Sequence, residues 1–318
     1  MNSYSVSIVV PVYKNEGSIE HLLKRINEVS TAVTGSVEAV FVVDGSPDKS
    51  LEALRSSLPR DGFDAKVLLL SRNFGAFSAI RAGLRESRGG ATVVMAADLQ
   101  EPKTLIEELL NYVQHEDVDV AVGVRQSRRD GLISRALSAS FWQVFTRVSS
   151  LEMPKGGVDT FALSTRARET VNAFEESSTS LVGLIYWMGF RRQEVPYHRQ
   201  NRESGSSSWS LRKRINYAKD SITAFSEVPL SIFLWSGVTG AFAALILIIV
   251  LTFRIVFGHN DDLTYRLGAI GVLFVISYLM SGLGLLGTYL WRIGDNVRNR
   301  PDSITWKQWE IPSKKNSE

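Results

Sequence analysis

Two long apolar stretches, residues 231–257 and 267–293, constrain the fold of this chain more than any other feature of its sequence. Each contains roughly 25 residues, and a helix of about 20 residues is long enough to cross the hydrocarbon layer of a bilayer. Stretches of more than about 18 apolar residues are typical of membrane helices rather than of buried core helices, and here two follow one another. The pattern therefore predicts a transmembrane hairpin, residues 229–294, attached to a larger domain that precedes it.

Basic residues lie mainly before the first stretch and after the second. They are Arg212, Lys213, Arg214, Lys219, Arg292, Arg298, Arg300 and Lys307. The polar link between the stretches carries Asp261 and Asp262 against Arg266. Because cytoplasmic loops are enriched in Lys and Arg, the pattern predicts a multi-pass protein of the cytoplasmic (inner) membrane, with the large domain and both termini in the cytoplasm. Residues 1–13 lack the basic region of a signal peptide and favour a β-strand.

The composition fits a cytoplasmic domain. The 318 residues include no cysteine, so disulfides and thiolate metal sites are excluded within this chain. The formal net charge of +3 is small for this length, and no nucleic-acid partner is expected. Residues 211–226 place apolar and charged side chains on opposite helical faces, which predicts a juxtamembrane amphipathic helix, 211–228, lying on the lipid bilayer. A connector packed on the large domain is the alternative.

The predicted boundaries are therefore 1–210 for the large domain and 295–318 for a cytoplasmic tail. Within the large domain, strand patterns alternate with helix patterns. The strands are residues 6–12, 39–43, 66–70, 91–96 and 118–122, and the helices are residues 18–29, 76–85 and 103–113. Because strands joined through helices pair in parallel, the sequence predicts an α/β fold with a mainly parallel, Rossmann-like sheet.

Polar residues follow four successive predicted strands, where ligands of such sheets bind. They are Asn15 and Glu16, Asp44, Arg72 and Asn73, and Asp98, Gln100 and Glu101. Each alone is equally well explained by a helix cap or a turn, but their repetition after four strands favours a ligand site. Neither Gly-x-Gly-x-x-Gly at the first helix nor Gly-x-x-x-x-Gly-Lys-Ser/Thr occurs, which disfavours dinucleotide redox chemistry and P-loop chemistry.

Four motifs, taken in order, resemble those of family 2 glycosyltransferases with a GT-A fold. They are Val10-Pro11-Val12-Tyr13-Lys14-Asn15-Glu16, Val43-Asp44-Gly45-Ser46-Pro47-Asp48, Ser71-Arg72-Asn73-Phe74-Gly75 and Ala97-Asp98-Leu99-Gln100-Glu101-Pro102. The similarity is greatest to the polyprenyl-phosphate branch, which includes dolichyl-phosphate mannose synthases and bacterial undecaprenyl-phosphate glucosyl and aminoarabinosyl transferases. Residues 284–290 and 297–301 are similar to the C-terminal part of bacterial members with two spans.

The resemblance implies a site for a nucleotide sugar and a divalent cation, Mg²⁺ or Mn²⁺. It assigns nucleotide-sugar binding to Pro11, Tyr13, Glu16, Asp44, Arg72 and Asn73. Within this set it places Asp44 on the nucleobase. It assigns the cation to Asp98, the second acid of the family's Asp-x-Asp, and to Gln100. A hard cation held by oxygen ligands suits the charge of a leaving diphosphate.

The resemblance also implies a polyprenyl phosphate acceptor held by arginines. Arg125 and Arg202 match the family positions best, and the other candidates are Arg128, Arg129 and Arg199. Asp159, at the Asp of the family's Gly-Asp-Phe-Arg segment, is assigned to the acceptor side or to the shell of the cation. A phosphate monoester has a second pKa of about 6 and is largely dianionic at neutral pH, so its oxygen needs no strong general base.

Four positions depart from the family pattern. Ala96 replaces the first acid of Asp-x-Asp, Phe161 replaces an Arg, Val43 replaces an Asp or Asn, and Ser208 replaces a Lys. These losses leave open a nucleotide-sugar-binding protein that has no activity.

The resemblance implies an inverting, metal-dependent transfer of a hexose, with glucose from UDP-glucose expected, to undecaprenyl phosphate. The same reaction with an amino-arabinose or galactose derivative is the alternative within the enzyme class. A processive polysaccharide synthase is disfavoured, because Gln-x-x-Arg-Trp is absent and two spans are too few for a pore. The sequence does not decide the oligomeric state, and a homo-oligomer is one of the alternatives.

Overall fold

The computed structural model describes residues 4–115, 117–126, 154, 158–174, 180–200, 228–257, 262–298 and 300–314. These residues divide into two compact units, one within Met1–Ser221 and Pro301–Glu318 and the other within Ile222–Arg300. The first unit is the α/β domain, and the second contains the two apolar stretches. The C-terminal segment, predicted to be a separate tail from residue 295, therefore contributes in part to the α/β domain.

One sheet forms the centre of the described α/β domain. Its strands are β1 Val6–Val12, β2 Val37–Val43, β3 Asp64–Leu70, β4 Ala91–Val94, β5 Val120–Arg125, β6 Val158–Ser164, β7 Arg192–Tyr197 and β8 Thr305–Ile311. Their order across the sheet is β7-β5-β6-β4-β1-β2-β3-β8. β1 pairs in parallel with β2 and β4, β2 with β3, and β5 with β7, whereas β6 and β8 are antiparallel to their neighbours. The predicted mainly parallel fold is confirmed.

Helices cover both faces of the sheet. They are α1 Ile19–Ala32, α2 Ser50–Ser57, α3 Ala76–Glu86, α4 Lys103–His115, α5 Thr165–Ala173 and α6 Leu181–Trp187. On one face, Phe41 belongs to a core cluster with Leu22 of α1 and Leu109 of α4. On the other face, Val9 lies against Gly83 of α3. Because the central strands are buried on both faces, β1 and β2 are almost continuous apolar runs, and this made them recognisable in the sequence.

The structure differs from the sequence prediction mainly at short elements. The fourth strand ends at Val94 rather than at residue 96, and the fifth continues to Arg125. Six elements were not predicted, namely α2, α5, α6, β6, β7 and β8. In β7 only Val195 and Tyr197 are buried, so its sequence carries too few apolar residues to display the alternation of a half-buried strand.

The segment after the second apolar stretch returns to the sheet as β8. It pairs antiparallel with β3, with Trp309 opposite Val67. The Trp309 ring is partly buried against the core, and the guanidinium of Arg55 lies 4.7 Å from the ring centroid. Glu310 forms ion pairs with Lys66 at 3.3 Å and with Arg88 at 2.7 Å. These contacts explain why a segment that is polar in sequence becomes an ordered edge strand.

A buried ion pair holds the start of the same segment. The Asp302 side chain is 6% exposed and lies 3.1 Å from Nε of Arg81 and 2.5 Å from Nη1 of Arg85, both on α3. The backbone N–H of Ser71, directly after β3, donates to the carbonyl of Ile304 at 2.9 Å. The C-terminal segment is thus attached to the β3–α3 region of the domain.

The second unit contains two helices, α7 Val228–Val256 and α8 Asp262–Val297. Their segments Leu230–Val256 and Tyr265–Val297, with hydropathies of 2.4 and 2.2, are long and apolar enough to cross a membrane. α8 begins within the segment predicted as the polar link. The predicted interfacial helix at 211–226 lies outside the described residues.

α7 and α8 pack as an antiparallel pair around aromatic and small residues. The rings of Phe233 and Tyr278 stack with centroids 4.5 Å apart. Gly282 faces Phe233 so closely that a Cβ at this position would lie 2.6 Å from the ring, and Gly237 faces Tyr278 in the same way. Small residues of this kind let the backbones of membrane helices approach.

Replacing Asp302 with Ala in the full chain is expected to destabilise the α/β domain by about 3 kcal/mol, because the buried Arg81 guanidinium loses its counter-ion. The measurement is the thermal unfolding midpoint of the detergent-solubilised protein. Asp61→Ala, at an exposed turn, serves as the control. Equal midpoints for both variants would show that the ion pair does not hold the C-terminal segment.

Candidate active site

The predicted ligand residues lie at one edge of the sheet. Parallel pairing brings the carboxyl ends of β1, β2, β3, β4, β5 and β7 to this edge, and the antiparallel β6 brings its start there. Hydrogen bonds or ion pairs link Asp44 to Asn73 and Arg125 to Asp159. Loops far apart in the sequence therefore form one surface at the position where α/β sheets bind ligands.

The loops after β1 and β2 are joined through Asp48. Its carboxylate accepts hydrogen bonds from the Ser46 hydroxyl at 2.6 Å, the Ser50 hydroxyl at 2.7 Å and the Glu16 backbone N–H at 3.1 Å. Burial acts to raise the pKa of Asp48, but these hydrogen bonds outweigh it and leave the pKa below its ordinary value. The sequence indicated no separate role for Asp48 within its motif, and the structure identifies it as the group that holds the two loops together.

This network presents three residues predicted to bind the nucleotide sugar. Pro11 pairs with Val42 at the end of β1, Tyr13 is half-buried, and the Glu16 carboxylate accepts from the Lys49 N–H at 3.3 Å. Between them Lys14 has a φ of +57°, a left-handed conformation that is uncommon for residues other than glycine. Its N–H donates to the Ser46 hydroxyl at 2.8 Å, which fixes the sharp turn.

Asp44 anchors the loop after β3. It is 2% exposed, and its two carboxylate oxygens accept from the backbone N–H groups of Phe74 at 2.7 Å and Gly75 at 2.9 Å. Burial raises the pKa of Asp44 above its ordinary value, against the effect of these two hydrogen bonds. Both oxygens are thus engaged with the loop, and the contact with a nucleobase predicted for Asp44 stays a prediction.

The same loop carries the predicted residues Arg72 and Asn73. The Asn73 amide donates to the Asp44 carbonyl at 3.3 Å, and the exposed Arg72 guanidinium lies 4.1 Å from the centroid of the Phe74 ring. Gly45 has a φ of +55°, and a Cβ there would lie 2.4 Å from the Arg72 backbone. The close approach of the two loops therefore requires glycine at this position.

The loop after β4 positions Asp98 and Gln100. Leu99 between them has a φ of +55° and is 4% exposed, an unusual backbone conformation for a bulky residue. The Gln100 carbonyl accepts from the Gln200 N–H at 2.9 Å, and the Gln100 amide donates to the Gln200 carbonyl at 3.2 Å. Arg199 lies 3.8 Å from a carboxylate oxygen of Asp98. The segment that follows β7 therefore fixes this loop.

The buried residue Glu101 has a strongly raised pKa. It is 2% exposed, and neither carboxylate oxygen has a hydrogen-bond partner among the described residues. Burial, followed by the neighbouring carboxylates of Asp98 and Asp159, raises the pKa of Glu101 to about 8. The sequence placed Glu101 among the polar residues at strand ends but gave it no role, because burial of a charged residue in a loop leaves no pattern.

Arg125, Asp159 and Tyr197 form a connected group from three strands. The Asp159 carboxylate accepts from Nε of Arg125 at 2.7 Å and from the Tyr197 hydroxyl at 3.1 Å, and it is also paired with Nη2 of Arg125. Burial and the carboxylates of Asp159 and Glu101 raise the pKa of Tyr197. The β5–β6 register shifts beside Asp159, as in a β-bulge, a feature that re-aims side chains. Tyr197 was missed by the sequence analysis because β7 itself was missed.

Two departures from the family pattern are core residues here. Phe161 is 2% exposed, and Val43 is 1% exposed within the main core cluster. Ala96 is half-buried in the bend after β4. Ser208 and the predicted phosphate-binding residues Arg202, Arg128 and Arg129 lie outside the described residues.

The donor set at the Asp98 loop suits a hard divalent cation with an incomplete protein shell. Among the described residues, no three His, Cys, Asp or Glu side chains are placed to hold a metal alone. Mg²⁺ commonly takes only one or two carboxylates and completes its shell with water and substrate phosphates. Asp98 and Gln100 fit that description, and the adjacent carboxyl of Glu101 is buried without a hydrogen-bond partner among the described residues.

The fold and the edge-of-sheet site define an α/β enzyme of the GT-A class, and comparison of the sequence gives the family. Residues 7–174, more than half of the chain, match the sequence model of glycosyl transferase family 2, and the chain belongs to this family. Membership of the family confirms the GT-A fold and the glycosyltransferase activity predicted from the motifs.

Individual relatives are similar over nearly their full length. The chain is 31% identical to the uncharacterized glycosyltransferase YkcC of Bacillus subtilis, over 97% of this chain and 95% of that one. It is 32% identical to the undecaprenyl-phosphate 4-deoxy-4-formamido-L-arabinose transferase of Yersinia enterocolitica, over 93% of this chain and 91% of that one.

Similarity to solved structures is more distant. The mannosyltransferase PcManGT from Pyrobaculum calidifontis, solved with GDP-Man and Mn²⁺, is 16% identical and aligns over 94% of this chain and 88% of that one, with a TM-score of 0.44. A likeness at this level does not bear on the site.

The Asp48 network predicts a pH-dependent stability difference. A carboxyl group whose pKa is lowered in the folded state stabilises the fold above its unfolded pKa, and the stabilisation is lost as pH falls through the folded value. Asp48→Asn should therefore lower the free energy of unfolding by about 1 kcal/mol at pH 7, with the difference shrinking below about pH 4. Denaturant unfolding at several pH values measures this difference, with Glu52→Gln, at an exposed position of α2, as the control. A difference that is constant with pH would contradict the assignment.

Proposed function

We propose that this glycosyltransferase moves a sugar from a nucleotide sugar to the phosphate of a polyprenyl phosphate. The observation that carries the proposal is the proximity, at one edge of the sheet, of the Asp98–Gln100 loop and the Arg125–Asp159–Tyr197 group. The end of β7 joins the two groups, because the Tyr197 hydroxyl binds Asp159 at 3.1 Å and Arg199, two residues later, lies 3.8 Å from Asp98. The first group suits the diphosphate of a donor, and the second suits an acceptor phosphate. The 32% identical undecaprenyl-phosphate transferase supports this acceptor class.

On the donor side, the Asp98 carboxylate and the Gln100 side-chain oxygen would hold the divalent cation, Mg²⁺ or Mn²⁺. When bound, the cation supplies positive charge against the diphosphate that leaves with the nucleoside. Pro11, Tyr13 and Glu16 line the neighbouring loop, which Asp48 fixes. In this proposal Asp44 acts as a positioning residue for the Arg72–Asn73 loop, because its carboxylate already accepts two backbone hydrogen bonds.

On the acceptor side, Arg125 would orient the phosphate. Its guanidinium is held by Asp159, which the Tyr197 hydroxyl holds in turn, so little further ordering is needed when a phosphate binds. An oxygen of the phosphate dianion then forms a bond to the anomeric carbon while the bond from that carbon to the donor diphosphate breaks. A single displacement of this kind inverts the configuration. Arg202 is a second candidate for the phosphate by resemblance alone.

The sugar is the finer part of the proposal. The sequence predicts glucose from UDP-glucose, whereas the named relatives at 32% identity favour a 4-deoxy-4-formamido-L-arabinose donor. A panel of radiolabelled nucleotide sugars, incubated with the purified chain and undecaprenyl phosphate, distinguishes the two. The same assay tests the inactive-binder alternative, since a protein without activity binds a donor but transfers none.

The two apolar helices support a location in the cytoplasmic membrane, where a polyprenyl phosphate resides. The basic residues on either side of the hairpin support an orientation with the α/β domain and both termini in the cytoplasm.

Transfer should require a divalent cation and Asp98. We expect Asp98→Asn to lower the rate at least a hundredfold, about 3 kcal/mol in the barrier, because the leaving diphosphate loses its charge partner. Excess EDTA should abolish transfer by the unmodified chain, and Mg²⁺ or Mn²⁺ should restore it. Glu108→Gln, on the exposed face of α4, is the control. Full turnover in EDTA would refute metal dependence.

The absence of native cysteine makes the orientation directly measurable. Asp261→Cys should react with a membrane-impermeant maleimide added to intact cells, whereas Glu318→Cys should react only after the membrane is opened. The opposite labelling pattern would reverse the proposed topology.

A further inference from the structure

The buried carboxylate of Glu101 has no function in the scheme above. It begins the connection from the Asp98 loop to α4, and its backbone carbonyl accepts from Nη1 of Arg25 at 3.1 Å. This hydrogen bond fixes the backbone and leaves the side chain unexplained. The side chain is 2% exposed, and both of its oxygens lack a hydrogen-bond partner in the described part of the chain. A buried carboxylate without partners is costly, so such a group indicates a ligand site.

Among the described residues, acidic groups outnumber basic groups around Glu101. Its electrostatic neighbours are the carboxylates of Asp98 and Asp159 and the guanidinium of Arg199, and the Tyr197 phenol is also influenced by it. Arg125 is already paired with Asp159, and Arg199 lies 3.8 Å from Asp98. Among the described residues, three carboxyl groups therefore face two guanidinium groups. A divalent cation would supply positive charge against these carboxyl groups.

We infer that Glu101 is a protein ligand of the divalent cation, alongside Asp98 and Gln100. This inference rests on the proposed function and deepens its donor side. The left-handed turn at Leu99 brings the three side chains into one short loop, and the Gln200 backbone holds that loop on both sides of Gln100. Carboxylate and amide oxygens are the ligands that Mg²⁺ and Mn²⁺ prefer. Two carboxylates from the protein also agree with the absence, among the described residues, of any three-acid metal cluster.

A carboxylate introduced at position 96 can test whether Glu101 acts through its own carboxylate. Ala96 stands two residues before Asp98 in the bend after β4 and is half-buried. An Asp at this position would place a second acid beside Asp98 from the other side of the loop. If Glu101 acts through its carboxylate at the cation, Ala96→Asp should compensate for its loss. If Glu101 only fills space in the domain, the added acid should have no such effect.

The experiment is a titration of the full-length, detergent-solubilised chain with Mn²⁺ alone, with free Mn²⁺ measured by electron paramagnetic resonance. Glu101→Gln keeps the size of the side chain and removes its charge. We expect this variant to bind Mn²⁺ at least tenfold more weakly, and Glu101→Gln with Ala96→Asp to recover most of the loss. Glu108→Gln, seven residues further along the chain on the exposed face of α4, should match the unmodified chain.

Unchanged Mn²⁺ affinity in Glu101→Gln would overturn the inference and leave the proposed function standing. No Mn²⁺ binding by the unmodified chain would overturn both. Thermal midpoints in EDTA provide the check on folding, because replacing an unpartnered buried carboxyl with an amide of the same size should not lower the midpoint. If Glu101→Gln fails to fold, Glu101→Asp replaces it in the experiment. This variant keeps a carboxyl group but shortens the side chain by one methylene, and we again expect weaker Mn²⁺ binding.

Discussion

Parallel pairing of β1, β2, β3 and β4 is the constraint on which the rest of the structure depends. It turns the carboxyl ends of four buried strands toward one edge, and every loop that carries a polar motif must then lie at that edge. The strands are buried on both faces, so a one-residue shift in register would exchange the side chains that face the two helix layers and disrupt the packing on both sides. The apolar core therefore fixes where the site lies, although it supplies none of its polar groups.

The polar groups of the site fall into those that build loops and those left for a ligand. Asp44 and Asp48 have their oxygens engaged by neighbouring N–H and O–H groups, and each holds one loop against the next. Asp159 holds Arg125 in the same manner. Glu101 differs, because it is as buried as Asp44 but its carboxyl accepts no hydrogen bond in the described chain. Burial raises the pKa of both Asp44 and Glu101, yet only at Glu101 do neighbouring carboxylates add to that effect.

The C-terminal segment connects two parts of the chain that the sequence separates. β8 follows the second apolar helix and completes the edge of the sheet beside β3. Its ion pairs, from Asp302 to α3 and from Glu310 to Lys66 and Arg88, join groups more than 200 residues apart. A head produced by cutting the chain before the apolar helices would lack this strand and expose Val67 and its neighbours along an open edge.

The sequence by itself determined the class of the fold, the presence of two apolar helices, and the set of strand-end residues from Asn15 to Gln100. It could do so because burial on both faces produces continuous apolar runs, and because helix-breaking polar clusters follow them. Only the tertiary structure decided that Asp44 is a loop anchor, that Tyr197 and Asp159 hold Arg125, and that residues 305–311 join the sheet. These outcomes depend on which distant groups meet and how deeply they are buried, and neither quantity is encoded in local periodicity.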